Sequence, residues 1–356
     1  MVIKMKIELQ SLERKAESTL KQCLDKVPFV QITDIQKEPR AVGAQIDFTV
    51  EMTAYGMKQL LAVEVKRTGQ PKAAREAINS LLRWLSLNAG AYGVFIAPYI
   101  SSQTAEICWQ EGVGYCDFAG NCLLTFGGVY IEKSGNPNPF SEKRELRSLY
   151  SPKAARILRV ILNNPRKNRK MQDLAREAEV SLGQAANVKK LLDSRELIEK
   201  AEKGFTLQEP YSLLSEWSRY YVFRKNRTRD FYSLKSIPDI EDEIADVCKR
   251  NKINYAFTGF SGAARLTLAV RYQRVMAYVD AEEDQLLKLF EFKEVSSGAN
   301  VTLLMPYDAG VFYGVTTKEG SRVVSPVQLY LDLIGFKGRG EEAAKALLEE
   351  VIKPLW

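Results

Sequence analysis

Asp47, Glu64 and Lys66 are the residues whose types and spacing point most directly to chemistry. Between Gln45 and Lys66 the chain alternates apolar and polar side chains. Ile46, Phe48, Val50 and Met52 fall on one face of a first strand, and Leu61, Val63 and Val65 on one face of a second. Period-2 alternation is the mark of half-buried strands. Ala54-Tyr55-Gly56 supplies a turn between them. If the two arms pair, Asp47, Glu64 and Lys66 share the polar face. Two hard-oxygen ligands beside an ammonium suit a Mg²⁺ or Mn²⁺ site, in which the metal polarises a phosphodiester and lysine orients or deprotonates a water.

These residues must be held by the elements around them. Helical periodicity covers Ile7–Leu24, with Leu9, Leu12, Ala16, Leu20 and Leu24 on the apolar stripe, and a strand follows at Phe29–Ile35. Beyond the hairpin, Gly69-Gln70-Pro71 opens a helix over Lys72–Leu87, and Tyr92–Ala97 reads as an apolar strand. Helix Ser102–Gln110 leads into GVGYCDFAGNCLLTF, a strand, a tight turn and another strand.

In this order of elements, and in Asp47 with Glu64-Val65-Lys66, the chain resembles the PD-(D/E)XK superfamily, the restriction-endonuclease-like fold. Ile46 stands where the named motif has proline. The resemblance implies a metal held by Asp47 and Glu64, with Lys66 at the attacking water. It also implies an auxiliary acid from the first helix, for which Glu17 is the candidate, and a polar residue near the scissile phosphate, for which Gln70 is placed. The phrase around Asp117 and Asn121 resembles one that recurs in endonuclease-like proteins, and there these two residues are structural hydrogen-bonders.

The whole composition narrows the alternatives. With 356 residues, 46% hydrophobic and 27% charged, the chain can bury more than one core. It contains no histidine, which removes histidine-based triads and histidine-ligated zinc sites. Metal chemistry at the hairpin therefore rests on carboxylates. The five cysteines form no C-x-x-C pair, so they read as reduced, buried thiols rather than a zinc ribbon or disulfide frame. No apolar run approaches the ~20 residues of a membrane span, and the N-terminus has no apolar signal core. A cytoplasmic protein with no membrane role is the expectation.

The net charge is +7, and between Lys143 and Lys170 ten lysines and arginines face one acid, Glu145. So basic a run points to a polyanionic partner. It begins in a Gly/Pro/Asn-rich break at Ser134–Lys143. Then come a helix opened by Ser151-Pro152, a short helix at MQDLAREAEV, a third helix capped by Ser181, and a strand-turn-strand with Gly204 in the turn. Three helices and a β-ribbon in about 60 residues resemble the winged helix-turn-helix family. The third helix would bury Leu182, Ala185, Val188, Leu191 and Leu192. Gln184, Asn187, Lys189 and Lys190 would then face double-stranded DNA, where Gln and Asn can pair with adenine. Lys200 and Lys203 on the wing, with Arg169 and Lys170, suit phosphates.

The segment Tyr211–Tyr232 interleaves arginines with aromatics, which fits either nucleic-acid stacking or a helix with an aromatic core face. After it the chain alternates helix and strand through Gly310–Thr316. It closes on SPVQLYLDL and RGEEAAKAL. From about Ser151 to the end it resembles the AbiEi-type antitoxins of type IV toxin–antitoxin systems. That implies a transcriptional regulator that binds operator DNA and antagonises a nucleotidyltransferase toxin. The Thr258–Ser261 loop carries a Gly-x-Ser turn like that of a nucleotidyltransferase, but no D-x-D follows; the next acid, Asp280, stands alone on its strand. Transferase activity is therefore excluded as an expectation.

The expected architecture is multidomain α/β. A restriction-endonuclease-like α/β domain occupies 1–140, a winged helix-turn-helix 148–210 and a C-terminal α/β domain 211–356. Two activities remain open from sequence: a DNA-binding regulator, or a Mg²⁺-dependent DNA endonuclease aimed by the winged helix.

Overall fold

A computed structural model describes residues 2–37, 39–41, 44–139, 149–267, 271–318 and 320–356. The chain divides into two compact units, Met1–Arg144 with Asp193–Glu196, and Glu145–Leu192 with Leu197–Trp356. The first basic residues of the run after the linker, Lys143, Arg144 and Arg147, lie outside the described residues, as does Glu145.

The first unit is built on a seven-stranded sheet. In chain order its elements are α1 (Val2–Leu24), β1 (Val30–Lys37), β2 (Phe48–Ala54), β3 (Met57–Val65), α2 (Pro71–Leu87), β4 (Tyr92–Ala97), α3 (Ser102–Gln110), β5 (Gly114–Asp117), β6 (Cys122–Phe126) and β7 (Val129–Lys133). The strands lie side by side in that order. Pairing is parallel from β3 to β4 and from β4 to β5, and antiparallel elsewhere. Each parallel step is bridged by a helix, α2 or α3, because a parallel connection must cross over the sheet. Both faces are thus covered. Leu20, Leu24, Val50, Val63 and Val94 form one core with α1. Ala62, Ile78, Leu81, Phe95 and Ile107 form the other with α2 and α3.

The β2–β3 hairpin turns on two residues, Tyr55 (φ 49°) and Gly56 (φ 75°), with Ala54 paired to Met57. Two successive positive φ values give a turn whose twist matches that of the strands. The alternation expected for the first arm holds from Phe48 to Met52 but not at Ile46. There the backbone bends at Asp47, and Ile46 joins the α2-side core while Phe48 and Val50 join the α1-side core.

The second unit opens with α4 (Pro152–Asn163), α5 (Met171–Glu177), α6 (Leu182–Ser194) and the hairpin β8 (Ile198–Ala201)–β9 (Gly204–Leu207). These are the three helices and ribbon the sequence suggests. The hairpin turns at Glu202-Lys203, one residue before Gly204. Glycine is required there by close approach instead: a Cβ on Gly204 would stand 2.5 Å from the Arg169 carbonyl. Arg169 and Phe205 exchange backbone hydrogen bonds of 3.1 and 3.2 Å, so Arg169, two residues before α5, bridges to the edge of the ribbon.

After α7 (Pro210–Tyr220) comes a second seven-stranded sheet of β10 (Arg227–Tyr232), β11 (Tyr255–Phe257), β12 (Val275–Val279), β13 (Lys293–Glu294), β14 (Val301–Met305), β15 (Thr316–Lys318) and β16 (Ser321–Val323), with helices α8 (Ile237–Arg250), α9 (Gly259–Ala263), α10 (Glu283–Leu289), α11 (Pro326–Ile334) and α12 (Arg339–Leu347). Gly310–Thr316, expected as a strand, begins as a 3₁₀ turn at Ala309–Phe312, where Asp308 accepts the Gly310 amide at 2.8 Å. One apolar core runs from the helical segment into this sheet, taking in Leu158, Val188, Phe205, Tyr278, Leu304 and Leu331. No helix among the described residues is long and apolar enough to cross a membrane.

Candidate functional sites

Asp47 sits in the bend before β2, and Glu64 near the end of β3 at the middle of the sheet. The Asp47 amide donates to the Val63 carbonyl at 3.1 Å, and its carboxylate accepts the Val65 amide at 2.6 Å. Asp47 is thereby clamped across the two strands beside Glu64. The Glu64 side chain is buried and accepts a hydrogen bond from Lys66 Nζ at 2.7 Å. Burial holds the Glu64 carboxyl above its ordinary value; the Lys66 bond opposes that rise, and the negative charge of Asp47 adds to it. Lys66 is fixed by its own amide, which donates to Ile96 on β4 at 3.0 Å. The structure therefore brings Asp47, Glu64 and Lys66 together.

The two auxiliary residues stand differently. Glu17 on α1 pairs with Lys21 at 2.9 Å and lies 3.9 Å from Lys37. It makes no three-acid cluster with Asp47 and Glu64: among the described residues, the single group of three or more ligand side chains within 4.8 Å of one another is Cys23, Cys116 and Cys122. Gln70 is the residue before α2, held next to Gly69, whose carbonyl accepts the Thr104 hydroxyl at 2.8 Å. Asp117 is fully buried and accepts from the amides of Ile100, Ala119 and Asn121 and from Asn121 Nδ2, at 2.9–3.1 Å. That accounts for the Asp-x-x-x-Asn pattern: the pair ties the β5–β6 turn.

In the helical segment, the α6 helix is capped by Ser181, whose hydroxyl accepts the Gln184 amide at 3.2 Å. Asn187 and Lys190 are exposed and Gln184 is half-buried. Lys189 is half-buried too, with Nζ 5.6 Å above the Phe205 ring. Leu182, expected in the core, is 51% exposed at the start of the helix. Lys200 and Lys203 are exposed on the hairpin, Lys203 at its tip, and Lys170 is exposed ahead of α5. Arg169 corrects the sequence reading. It is buried, and its guanidinium donates to the carbonyls of Asn164, Lys167 and Val160 at 2.7–3.0 Å. A cation so engaged braces the loop before α5 and is withheld from solvent.

The arginine–aromatic stretch of α7 and the residues after it resolves in part into core and ion pairs. Trp217 and Phe231 are buried, Arg227 pairs with Glu282 at 3.5 Å, and Arg229 pairs with Glu294 at 2.6 Å and also with Glu283. Arg224 instead lines an open pocket of about 1130 Å³, whose wall also carries Arg271, Arg274, Arg339, Phe260 and Phe336. In the Thr258–Ser261 loop, Ser261 is buried and its hydroxyl donates within the fold, to the Thr258 carbonyl at 2.9 Å.

Sequence reasoning missed the polar network at the join of helices and sheet. Asp332 on α11 is fully buried. It accepts from Tyr221 at 2.6 Å, Tyr278 at 3.0 Å, Thr258 at 2.5 Å and Gln328 Nε2 at 2.8 Å. Gln328 Oε1 in turn accepts two bonds from the buried Arg159 guanidinium, at 2.7 and 2.8 Å. Burial pushes the Asp332 carboxyl up to about 6 despite these donors. The one sequence signal was a helix, PVQLYLDLI, too apolar to carry a glutamine and an aspartate four residues apart without partners.

Residues 206–353 match the model of a family described as transcriptional regulator, AbiEi antitoxin, type IV TA system. The match begins in the last strand of the hairpin, so the three helices before it fall outside the matched region. Among solved structures, the chain is similar to a repair endonuclease from Pyrococcus abyssi, with 13% identity and a TM-score of 0.22 over 29% of this chain and 46% of that one. It is likewise similar to EndoMS in a complex with double-stranded DNA, with 14% identity and a TM-score of 0.21 over 28% of this chain and 43% of that one. The alignments thus span less than half the length of those endonuclease chains. No curated protein matches.

Proposed function

We propose that the protein is a DNA-binding transcriptional regulator of the antitoxin type, binding duplex DNA through α6 and the β8–β9 hairpin. The observation that carries this reading is the exposure of Asn187, Lys190, Lys200 and Lys203 on a helix and hairpin braced from beneath by Arg169 and Phe205. Asn187 and Gln184 offer paired donors and acceptors to base edges, and the lysines offer charge to phosphates. The family match over residues 206–353 supports the regulatory role and a toxin as the partner to be neutralised, and the sequence resemblance implies that this toxin is a nucleotidyltransferase. The test is a gel-shift titration with duplex DNA taken from ahead of the protein's own gene, against random duplex. Binding of the former at lower protein concentration supports the reading; no binding of either at low salt ends it.

A second reading is favoured by the juxtaposition of Asp47, Glu64 and Lys66. A buried Glu64 whose ionisation burial and the nearby Asp47 charge both disfavour fits a hard divalent cation, Mg²⁺ or Mn²⁺, which Asp47 and Glu64 would hold. Bound there, the cation would polarise a phosphodiester and acidify a water. Lys66, hydrogen-bonded to Glu64, is the group placed to orient that water. The first unit is then a Mg²⁺-dependent endonuclease site. Nicking of supercoiled plasmid that requires Mg²⁺ or Mn²⁺ and vanishes in Asp47→Ala and Lys66→Ala would establish it. Absence of nicking with intact DNA binding would make the unit a scaffold.

A further inference from the structure

We propose that Cys23, Cys116 and Cys122 form a binding site for one thiophilic d¹⁰ cation, of the class to which Zn²⁺ and Cd²⁺ belong. The three residues are far apart in sequence and the fold gathers them. Cys23 lies in the last turn of α1, and Cys116 on β5 pairs directly across the sheet with Cys122 on β6. The Cys23 and Cys122 sulfurs are 3.1 Å apart, and all three sulfurs lie within 4.8 Å of one another. Three metal–sulfur bonds of about 2.3 Å at tetrahedral to trigonal angles place sulfurs roughly 3.8–4.0 Å apart, inside that span. Closure on a cation requires Cys23 and Cys122 to part by roughly 0.7–0.9 Å. None of the three is in a disulfide.

The surroundings are those of a site. The thiols border an open pocket of about 400 Å³, with Lys26 and Lys133 on its wall. Three thiolates around a divalent ion carry one net negative charge, which those ammonium groups balance. The pocket also leaves room for a water or small thiol as fourth ligand, as three-ligand zinc sites require. The frame is rigid, since Asp117 and Asn121, between Cys116 and Cys122, lock the connecting turn. Cys108, buried against α2 in the other core, and Cys248, in the second unit, have no such company and serve as controls. The absence of any C-x-x-C spacing concealed the cluster, because its ligands come from three separate elements.

The test uses the full-length chain, reduced and freed of metal, titrated with Cd²⁺ while thiolate-to-metal charge-transfer absorption is followed. The expected result is saturation at one equivalent, with a rise in melting temperature. Cys116→Ser should weaken binding more than ~100-fold, beyond the ~10–100-fold that loss of a supporting residue gives, while Cys108→Ser and Cys248→Ser leave it unchanged. If Cys116→Ser unfolds the chain, Cys122→Ala and the wild-type thermal shift decide instead. The proposal is overturned by no charge-transfer band at stoichiometric Cd²⁺, or by a band that persists in folded Cys116→Ser. It is overturned equally if the reduced chain takes up no metal and air oxidation links Cys23 to Cys122.

Discussion

Replacing Lys200 and Lys203 together by alanine separates the proposed DNA reading from a generic basic surface. In the loop before α5, on α6 and on the β8–β9 hairpin, five cations are exposed and, among the described residues, outside any ion pair: Arg166, Lys170, Lys190, Lys200 and Lys203. Lys167 is excluded because it donates to Glu177 at 3.2 Å, and Arg169 because it is buried. If each of the five meets one phosphate, the logarithm of affinity should fall against the logarithm of salt with a slope of about −4.5. Between 50 and 200 mM salt that is a loss of about 500-fold. The double variant should keep a slope of about −2.7 and lose only about 40-fold over the same range. Fluorescence anisotropy on a labelled duplex reads both slopes, and circular dichroism confirms that the variant is folded. A folded double variant with an unchanged slope, or wild-type binding indifferent to salt, would refute the assignment of the hairpin to phosphates. Arg169→Met gives the opposing control: it strips three backbone carbonyls of their donor and should destabilise the fold by about 2–4 kcal/mol rather than alter the slope of whatever remains folded.

Asn187→Ala should cost about 1–3 kcal/mol on a preferred duplex and little on random DNA, as competition binding would show; equal losses on both would mean that α6 does not read bases. Asp117→Ala leaves four donors, three of them buried, without this acceptor and should lower urea stability of the first unit by about 3–5 kcal/mol, whereas an effect below about 1 kcal/mol would contradict the turn-locking role. The Asp332 carboxyl, ordinarily near 3.8 and held at about 6 when folded, keeps its proton longer in the folded than in the unfolded chain. Its contribution to stability is therefore greatest at low pH and declines as pH rises from about 4 to 6, by on the order of 2–3 kcal/mol. Denaturant titrations across that window should show this component in wild type and not in Asp332→Asn. Mn²⁺ should raise the melting temperature of the wild type, and by less in Asp47→Asn, if the hairpin carboxylates hold a cation.

The alternation around β2 and β3 and the boundaries of α2, β4 and α3 were legible because periodicity and turn chemistry are local signals. The same holds for α6, whose Ser181 cap and Ala185–Val188–Leu192 stripe appear in the sequence and pack as expected. What escaped are features whose cause lies elsewhere in the chain. Ile46 leaves its face because the strand bends at Asp47. Arg169 is buried because β9 pairs with its backbone and three carbonyls converge on its side chain. Gly204 is fixed by the approach of Arg169, which no turn rule anticipates. Asp332, Gln328 and Arg159 meet across more than 160 positions, a pairing that composition cannot register. Tyr211–Tyr232 left two readings open for a related reason: the acidic partners of Arg227 and Arg229, Glu282, Glu283 and Glu294, arrive from about 50 to 65 residues downstream.

The hairpin site and the α6 segment differ in what their charges are doing, and that difference orders the two functional readings. Lys190 on α6 and Lys200 and Lys203 on the β8–β9 hairpin are exposed, so their field reaches solvent and is available to a polyanion. At the hairpin the reverse holds. Glu64 is buried with Asp47 beside it, and Lys66, 2.7 Å from the Glu64 carboxylate, is spent in part on offsetting a repulsion that the fold itself created. A purely structural strand end has no use for that arrangement, since replacing Asp47 and Glu64 by neutral residues of similar shape would remove the repulsion and keep the hairpin. A divalent cation relieves the same repulsion without changing the sequence, and a phosphodiester could then compete for Lys66. The proposed DNA binding by α6 therefore needs only exposed residues, while the proposed cleavage by the hairpin requires the Lys66–Glu64 bond to yield to a metal. The first step can succeed without the second, which is why binding must be measured in Asp47→Ala before any loss of cleavage is assigned to the site.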